Sequence, residues 1–234
     1  AKFYRYRGSY YKREELFDSS FYYYLKYEKI YLKKNDNDNY GVDLLNKGIV
    51  QYFVGDYLGS ELSLSKAYYI FKESNDKNKL YGTLNQLGLV YNELKEYERA
   101  ADSHLKALEI VKNYDLQSEE NQEAVCYNNL GYLYLKQKKY NEAIKNFETA
   151  LIDKNILIED PGLYSNLIDN LAYCRLKINY FNQLPGLFIE ALNIRKKSNN
   201  YTEIVGSCIH LSEYFQKVND INSAIKYSNE ALWF

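Results

Sequence analysis

Residues 127–151, YNNLGYLYLKQKKYNEAIKNFETAL, lie slot for slot over residues 84–108, LNQLGLVYNELKEYERAADSHLKAL. This self-similarity constrains the fold more than any other feature of the chain, because a repeat of this period sets the architecture before any single residue is read. The shared pattern is large-x-x-Leu-Gly-x-x-Tyr, a polar turn, an aromatic residue, then Ala-x-x-x-large-x-x-Ala. Its first small slot recurs as Gly8, Gly48, Gly88, Gly131, Ala172 and Ser212, at intervals of 40, 40, 43, 41 and 40. A second slot in the same register reads Tyr27, Ala67, Ala107, Ala150, Ala191 and Ala231, and the residue opening each second helix is Phe17, Tyr57, Tyr97, Tyr140, Phe181 or Ile221. Six units therefore tile the 234 residues, at about 1–40, 41–80, 81–123, 124–164, 165–204 and 205–234, and the sequence reads as one continuous domain.

The slots have a packing logic. Small residues let two antiparallel helices approach closely, and Leu, Tyr and Phe at helical spacing fill the seam. One such hairpin cannot bury its apolar stripe alone, so hairpins stack into a superhelix. Only 2 Pro and 11 Gly punctuate the chain, too few for a sheet protein with a turn every ~8–12 residues. The pattern resembles the tetratricopeptide repeat (TPR), and the resemblance implies an all-α fold, a right-handed α-solenoid of about six helix hairpins. The usual unit is ~34 residues. The surplus here is expected to lengthen the helices and the inter-repeat loops, such as 34–39 and 113–121. Asp160-Pro161 reads as a helix N-cap followed by the first turn. Pro185 and Gly186 imply a second helix that either starts late, near Asn182, or is kinked. Met is absent and the chain opens on Ala1, while residues 231–234 stop on a small slot without a polar capping helix. The sequence therefore reads as a piece of a longer protein.

Little in the sequence carries reaction chemistry. His104 and His210 are the only histidines and stand in different units without metal-ligand spacing. His104 takes a large-residue slot, which suits a packed imidazole. Each slot glycine stands alone inside a helix, so no phosphate loop exists, and no nucleophile elbow is present. Cys126, Cys174 and Cys208 are far apart and odd in number, neither a disulfide framework nor a zinc site, and fit as small buried residues. No enzymatic activity, cofactor or metal is expected. A net charge of −1 argues against a polyanion as main partner, because that affinity rests on surplus Lys and Arg.

In the TPR family the concave face is lined by slots two, five, six, nine, twelve and thirteen of each first helix. Carried over, slot six holds Tyr6, Asn46, Gln86, Asn129, Asn170 and His210. Slot five adds Asn85, Asn128 and Asp169, and slot nine adds Tyr132 and Tyr173. An amide offers both a donor and an acceptor, so amides one repeat apart can bond successive peptide units of an extended chain without reading its side chains. Against a background of 25 Asn in 234 residues, three Asn and one Gln in six slot-six positions is an enrichment. Some of these amides tie neighbouring helices together on the alternative reading. The third unit's groove holds Gly82, Asn85 and Gln86 where the clamp for chaperone C-terminal tails wants basic residues, so such tails are not expected. The expected partner is a protein or peptide.

The first unit stands apart. Twelve aromatic residues from Phe3 to Tyr31 interleave with Lys2, Arg5, Arg7, Lys12 and Arg13. Such interleaving can mark single-stranded nucleic acid, but Glu14, Glu15, Asp18 and Glu28 dilute it, and Glu93, Asp169 and Glu213 acidify the remaining groove. A docking surface, including a homodimer contact, is the favoured reading, with neither nucleic acid nor membrane as partner. The phrases GDYLGSELSLSKA (55–67), YNELKEYERAADSHLKAL (91–108), DNLAYCRLK (169–177) and EALNIRKKSNN with the later CIHLSEYFQK resemble the sensory TPR region of bacterial sensor histidine kinases and related helix-turn-helix regulators. That resemblance implies a catalytically inert, extracytoplasmic segment that acts by population shift, with a ligand favouring one curvature or dimer arrangement. A free-standing cytosolic adaptor or a structural spacer is the alternative.

Overall fold

The computed structural model describes residues 2–31, 37–114, 116, 121–153 and 155–233. Thirteen α-helices and no strand occur among the described residues. They are α1 (Lys2–Arg13), α2 (Phe17–Tyr31), α3 (Asn37–Phe53), α4 (Tyr57–Glu73), α5 (Lys77–Glu93), α6 (Tyr97–Asn113) and α7 (Gln122–Lys136). There follow α8 (Tyr140–Ala150), the short α9 (Ile156–Glu159), α10 (Pro161–Lys177), α11 (Leu184–Lys197), α12 (Tyr201–Lys217) and α13 (Ile221–Ala231). The chain divides into two compact units, Ala1–Glu119 and Glu120–Phe234. In the first, α1 pairs with α2, α3 with α4 and α5 with α6, and neighbouring hairpins meet through α2–α3 and α4–α5. In the second, α7 pairs with α8, α10 with α11 and α12 with α13, while α10 also packs on α8 and α9, and α11 on α12.

The small slots do what their size requires. A Cβ on Gly48 would lie 2.6 Å from Leu64 Cγ, and one on Gly131 would lie 2.5 Å from Phe147 Cε1. Gly8 faces Tyr24 and Gly88 faces His104 in the same way. Every facing residue lies sixteen positions on, so a small slot on the first helix receives a large one from the second. The first two hairpins add a hydrogen bond at this contact: Ser20 Oγ donates to Gly8 O (2.8 Å) and Ser60 Oγ to Gly48 O (2.7 Å). In the second unit Ala143, Phe147, Ile156, Leu167 and Cys174 form one core cluster around α7–α10. Leu176, Leu184, Phe188, Ile204 and Leu211 form another around α10–α12.

The turns inside the hairpins share one backbone solution. Glu15, Gly55, Lys95, Lys138, Asn179 and Asn219 all have positive φ, between 57° and 79°, and recur at the repeat's own intervals. The next residue donates its N–H to the carbonyl five positions back, from Leu16 to Tyr11 (2.9 Å) through Lys139 to Tyr134 (2.9 Å) and Asp220 to Phe215 (2.9 Å). This is the Schellman closure of a helix end. Asp56, Asp76, Asp160, Asn200 and Asp220 then cap the following helices through their side chains.

Asp160 caps α10 by accepting from Leu163 N (2.8 Å), with Pro161 in the first turn. Of the two readings of Pro185, the late start is the one adopted: α11 opens at Leu184 with Pro185 in its first turn, where the missing N–H costs nothing. The expected loops shrink or fall out of view. Asn37 already opens α3 and Asn113 closes α6, whereas 34–36, 115 and 117–120 lie outside the described residues. The one-turn helix α9 is an addition that the repeat pattern did not announce; it buries Ile156 in the first of the second unit's cores.

Candidate functional site

Seven of the ten candidate residues fall on α7, α10 and α12, the first helices of the second unit's three hairpins. Asn129, Asn170 and His210 occupy the same slot on successive hairpins. The structure brings three candidates together here. Asp169 on α10 is 2% exposed, and its Oδ2 lies 2.8 Å from His210 Nδ1 on α12. The His210 ring stacks on Tyr173, with centroids 4.1 Å apart and planes 23° from parallel. Lys177 continues the row along α10: its Nζ sits 4.6 Å from the Tyr173 ring centroid and donates to Glu213 on α12 (2.5 Å).

Beneath this surface lies a group that the slot pattern did not single out. Arg195 on α11 is 5% exposed and places Nη1 3.1 Å from Asp169 Oδ2. It also donates to Ser207 Oγ (2.5 Å) and to Asn166 Oδ1 (2.7 Å), and its Nε faces the Glu203 carboxylate at 3.4 Å. Burial by itself would raise the Asp169 pKa, but the His210 hydrogen bond and the His210 and Arg195 charges outweigh it and hold the carboxyl below its ordinary value. A buried charge needs a partner and satisfied hydrogen bonds, and Asp169 obtains both from two different helices. The carboxylate is thus engaged in joining α10, α11 and α12. What it offers outward is the orientation of His210.

The other candidates are placed as follows. Asn170 is half-buried and makes no side-chain hydrogen bond among the described residues. Asn128 is half-buried, with a buried Oδ1 that has no partner among the described residues, whereas Asn129 is 8% exposed and has a bonding partner. Tyr132 is half-buried, with Lys136 Nζ 5.1 Å from its ring centroid. In the first unit, Asn46 accepts from Lys12 Nζ (2.8 Å), bridging α1 and α3. Asn85 is 6% exposed and engaged. Gln86 is half-buried and makes no side-chain bond among the described residues.

The remaining reactive groups are sealed in. All three cysteines are free and buried, and burial pushes Cys174 up to about 12 and Cys208 up to about 11, so neither thiol ionises near neutral pH. The chemistry facing outward from α7, α10 and α12 is hydrogen bonding by amides, a stacked Tyr–His face and one Lys–Glu pair.

Residues 80–151 match the family model of the tetratricopeptide repeat. The chain is 24% identical over 182 residues to human outer dynein arm-docking complex subunit 4, covering 74% of this chain and 26% of that protein. It therefore spans about a quarter of the length of the curated relative that it matches. Among solved structures, the apo form of RapI superposes with a TM-score of 0.73 at 18% identity, over 99% of this chain and 96% of that one. The Rap conjugation gene regulator of plasmid pLS20, in complex with the Phr* peptide, gives 0.72 at 13% identity, over 97% and 71%. These likenesses establish the fold, an all-α helical-repeat solenoid.

Proposed function

We propose that this chain is a non-catalytic interaction module whose second unit holds an extended peptide or protein segment along α7, α10 and α12. The observation that carries the reading is Asn170. Its amide is partly exposed and unspent among the described residues, in the slot shared with Asn129 and His210, and beside the Tyr173–His210 stack. A half-buried amide has donors and acceptors to give to a passing backbone, and the buried Arg195–Asp169 pair fixes the neighbouring aromatic face. The peptide-bound Rap regulator of similar fold supports a peptide as ligand. The sensory region of a bacterial signalling protein is the setting we assign to it. Binding would act by favouring one of two pre-existing arrangements.

Peptides selected from a displayed library against the intact chain test the reading. Asn170→Ala is expected to weaken the selected peptides by about 1–3 kcal/mol with unfolding unchanged, the range for a hydrogen bond lost from a desolvated group. Equal affinity for the substituted and unsubstituted chains would make the row structural. For the signalling setting, the parent gene decides: a signal sequence upstream with a membrane helix and output module downstream would support it, and a free-standing reading frame would overturn it.

A second reading rests on the first hairpin. Phe3, Tyr6, Tyr10 and Tyr22 are 59%, 72%, 45% and 53% exposed, and Arg7 lies 5.6 Å from the Phe3 ring centroid while Arg13 lies 5.8 Å from that of Tyr10. Exposed aromatics beside arginines are the side chains that interfaces favour, and a second copy is the partner proposed.

A further inference from the structure

The first unit holds a concavity that the repeat slots do not explain. Two adjoining cavities of about 340 and 220 Å³ share Tyr68, Leu84 and Lys106 as walls, so a slot runs over α5 between α4 and α6. Its floor is apolar, formed by the buried Leu80, Leu84 and Leu87. Its rim is basic: Lys72, Lys77, Arg99 and Lys106 stand there against the carboxylates of Asp102 and Glu109.

The cations are not equivalent. Arg99 is committed, bonded to Glu61 (2.7 Å), to Glu96 and to the Tyr91 hydroxyl (2.6 Å), with its guanidinium stacked 3.9 Å from the Tyr91 ring centroid. Lys106 is paired with Asp102 at 2.6 Å. Among the described residues, Lys72 and Lys77 have no carboxylate within ion-pair distance. They rest instead against aromatic rings, Lys72 5.8 Å from the Tyr68 centroid and Lys77 4.7 Å from that of Tyr114. An apolar floor with a tyrosine wall excludes water from one side of a ligand, and two ammonium groups with no carboxylate partner among the described residues attract a negative charge on the other. The volume lies at the lower end of the ~300–1,000 Å³ of small-molecule sites, enough for one ring with its substituent.

We propose that this slot binds a small aromatic anion, a planar ring carrying a phosphate or carboxylate, with the ring on Leu84 beside Tyr68 and the anionic group toward Lys72. The site is separate from the α10–α12 face and does not rest on the peptide reading.

Phenyl phosphate titrated into the intact chain, followed by calorimetry and by the tyrosine ring resonances, is the test. The expected result is saturable binding, weakened about tenfold by Lys72→Gln through loss of a charge-assisted contact. Lys72 is exposed, so this substitution leaves the fold intact. Inorganic phosphate should bind at least about tenfold more weakly than phenyl phosphate, because it forgoes the apolar floor. Asn170→Ala should leave the affinity unchanged. The proposal is overturned by the absence of saturation at millimolar phenyl phosphate, by equal affinity for inorganic phosphate, or by indifference to Lys72→Gln.

Discussion

His104 sits in the slot that Leu64 and Phe147 fill in the neighbouring hairpins, pressed against Gly88. It is fully buried, and neither ring nitrogen has a hydrogen-bond partner among the described residues. Burial pushes its pKa down to about 4, because a charged imidazole there would lose its water without gaining a partner. The unfolded chain takes up a proton on this residue near pH 6.5, the folded chain only near pH 4, so folding stability is complete above pH 6.5 and declines as pH falls through that window. The loss by pH 4 is about 3 kcal/mol, at ~1.4 kcal/mol per unit of pKa difference. His104→Leu should abolish this component. Urea unfolding at pH 7 and pH 4.5 checks it: the pH-induced drop should shrink in the variant, and an identical drop would place the acid sensitivity elsewhere. The same residue shows what a repeat pattern can tell. A packed imidazole followed from the slot alone, since the facing glycine leaves room for a ring. Asp169 was legible only in part. Its slot sends it toward the α12 side, but its partner Arg195 lies on a second helix, in the position held by Phe71 and Val111 in earlier hairpins. A charge at that slot did not single it out, because Lys154 holds the same slot in the hairpin between, and the slots of the first helices do not include it.

At the scale of the element, the hairpin turn is the most uniform feature of the structure and the least visible in the sequence. Six left-handed turn residues recur in register, yet they are Glu, Gly, Lys, Lys, Asn and Asn. The backbone geometry is imposed by the closing hydrogen bonds and by helix packing on both sides, so the residue type is free to vary at a modest cost. Left-handed φ costs an ordinary L-residue about 1–2 kcal/mol, and glycine or asparagine much less. Lys138 has φ of 60° and an exposed side chain, so nothing is lost when that side chain is removed. Lys138→Gly should therefore raise stability by about 0.5–1 kcal/mol, after subtracting glycine's extra freedom in the unfolded chain. The midpoint of denaturant unfolding reads this directly, and a decrease would mean that the lysine makes a stabilising contact. By contrast, helix number, pairing and the small-to-large contacts were all legible, because they depend on residue size at fixed spacing. The one-turn helix α9 was not, since it lies between the repeat's slots and is held by a single buried residue, Ile156.

On the scale of the molecule, a chain with net charge −1 carries an uneven distribution, and the first hairpin is where the imbalance has a consequence. Helix α1 contains Lys2, Arg5, Arg7, Lys12 and Arg13 and no acidic residue. Arg5 is drawn to Asp43 and Lys12 to Asn46, and Arg13 lies 3.8 Å from the exposed Glu14 carboxylate, a long and solvent-screened pair, so Arg7 and Arg13 carry most of their charge beside exposed Phe3, Tyr6 and Tyr10. Two copies meeting through this face would gain aromatic burial and arginine–ring contacts, and would pay repulsion between their cations. The two contributions respond oppositely to salt. Repulsion is screened over a Debye length that shortens from about 10 Å at 0.1 M to about 3 Å at 1 M, whereas apolar burial is not weakened. A homodimer through this face should therefore tighten as sodium chloride rises from 0.05 to 0.5 M, and an acidic partner bound to the same face should loosen. Light scattering across a concentration series at both salts distinguishes these cases. Tyr6→Ser combined with Tyr22→Ser should return the chain to monomer. Tyr24 must be left in place, because it is 1% exposed and its ring fills the space over Gly8. A monomer at every concentration and salt would remove the homodimer, leaving the α1 face to a partner of opposite charge.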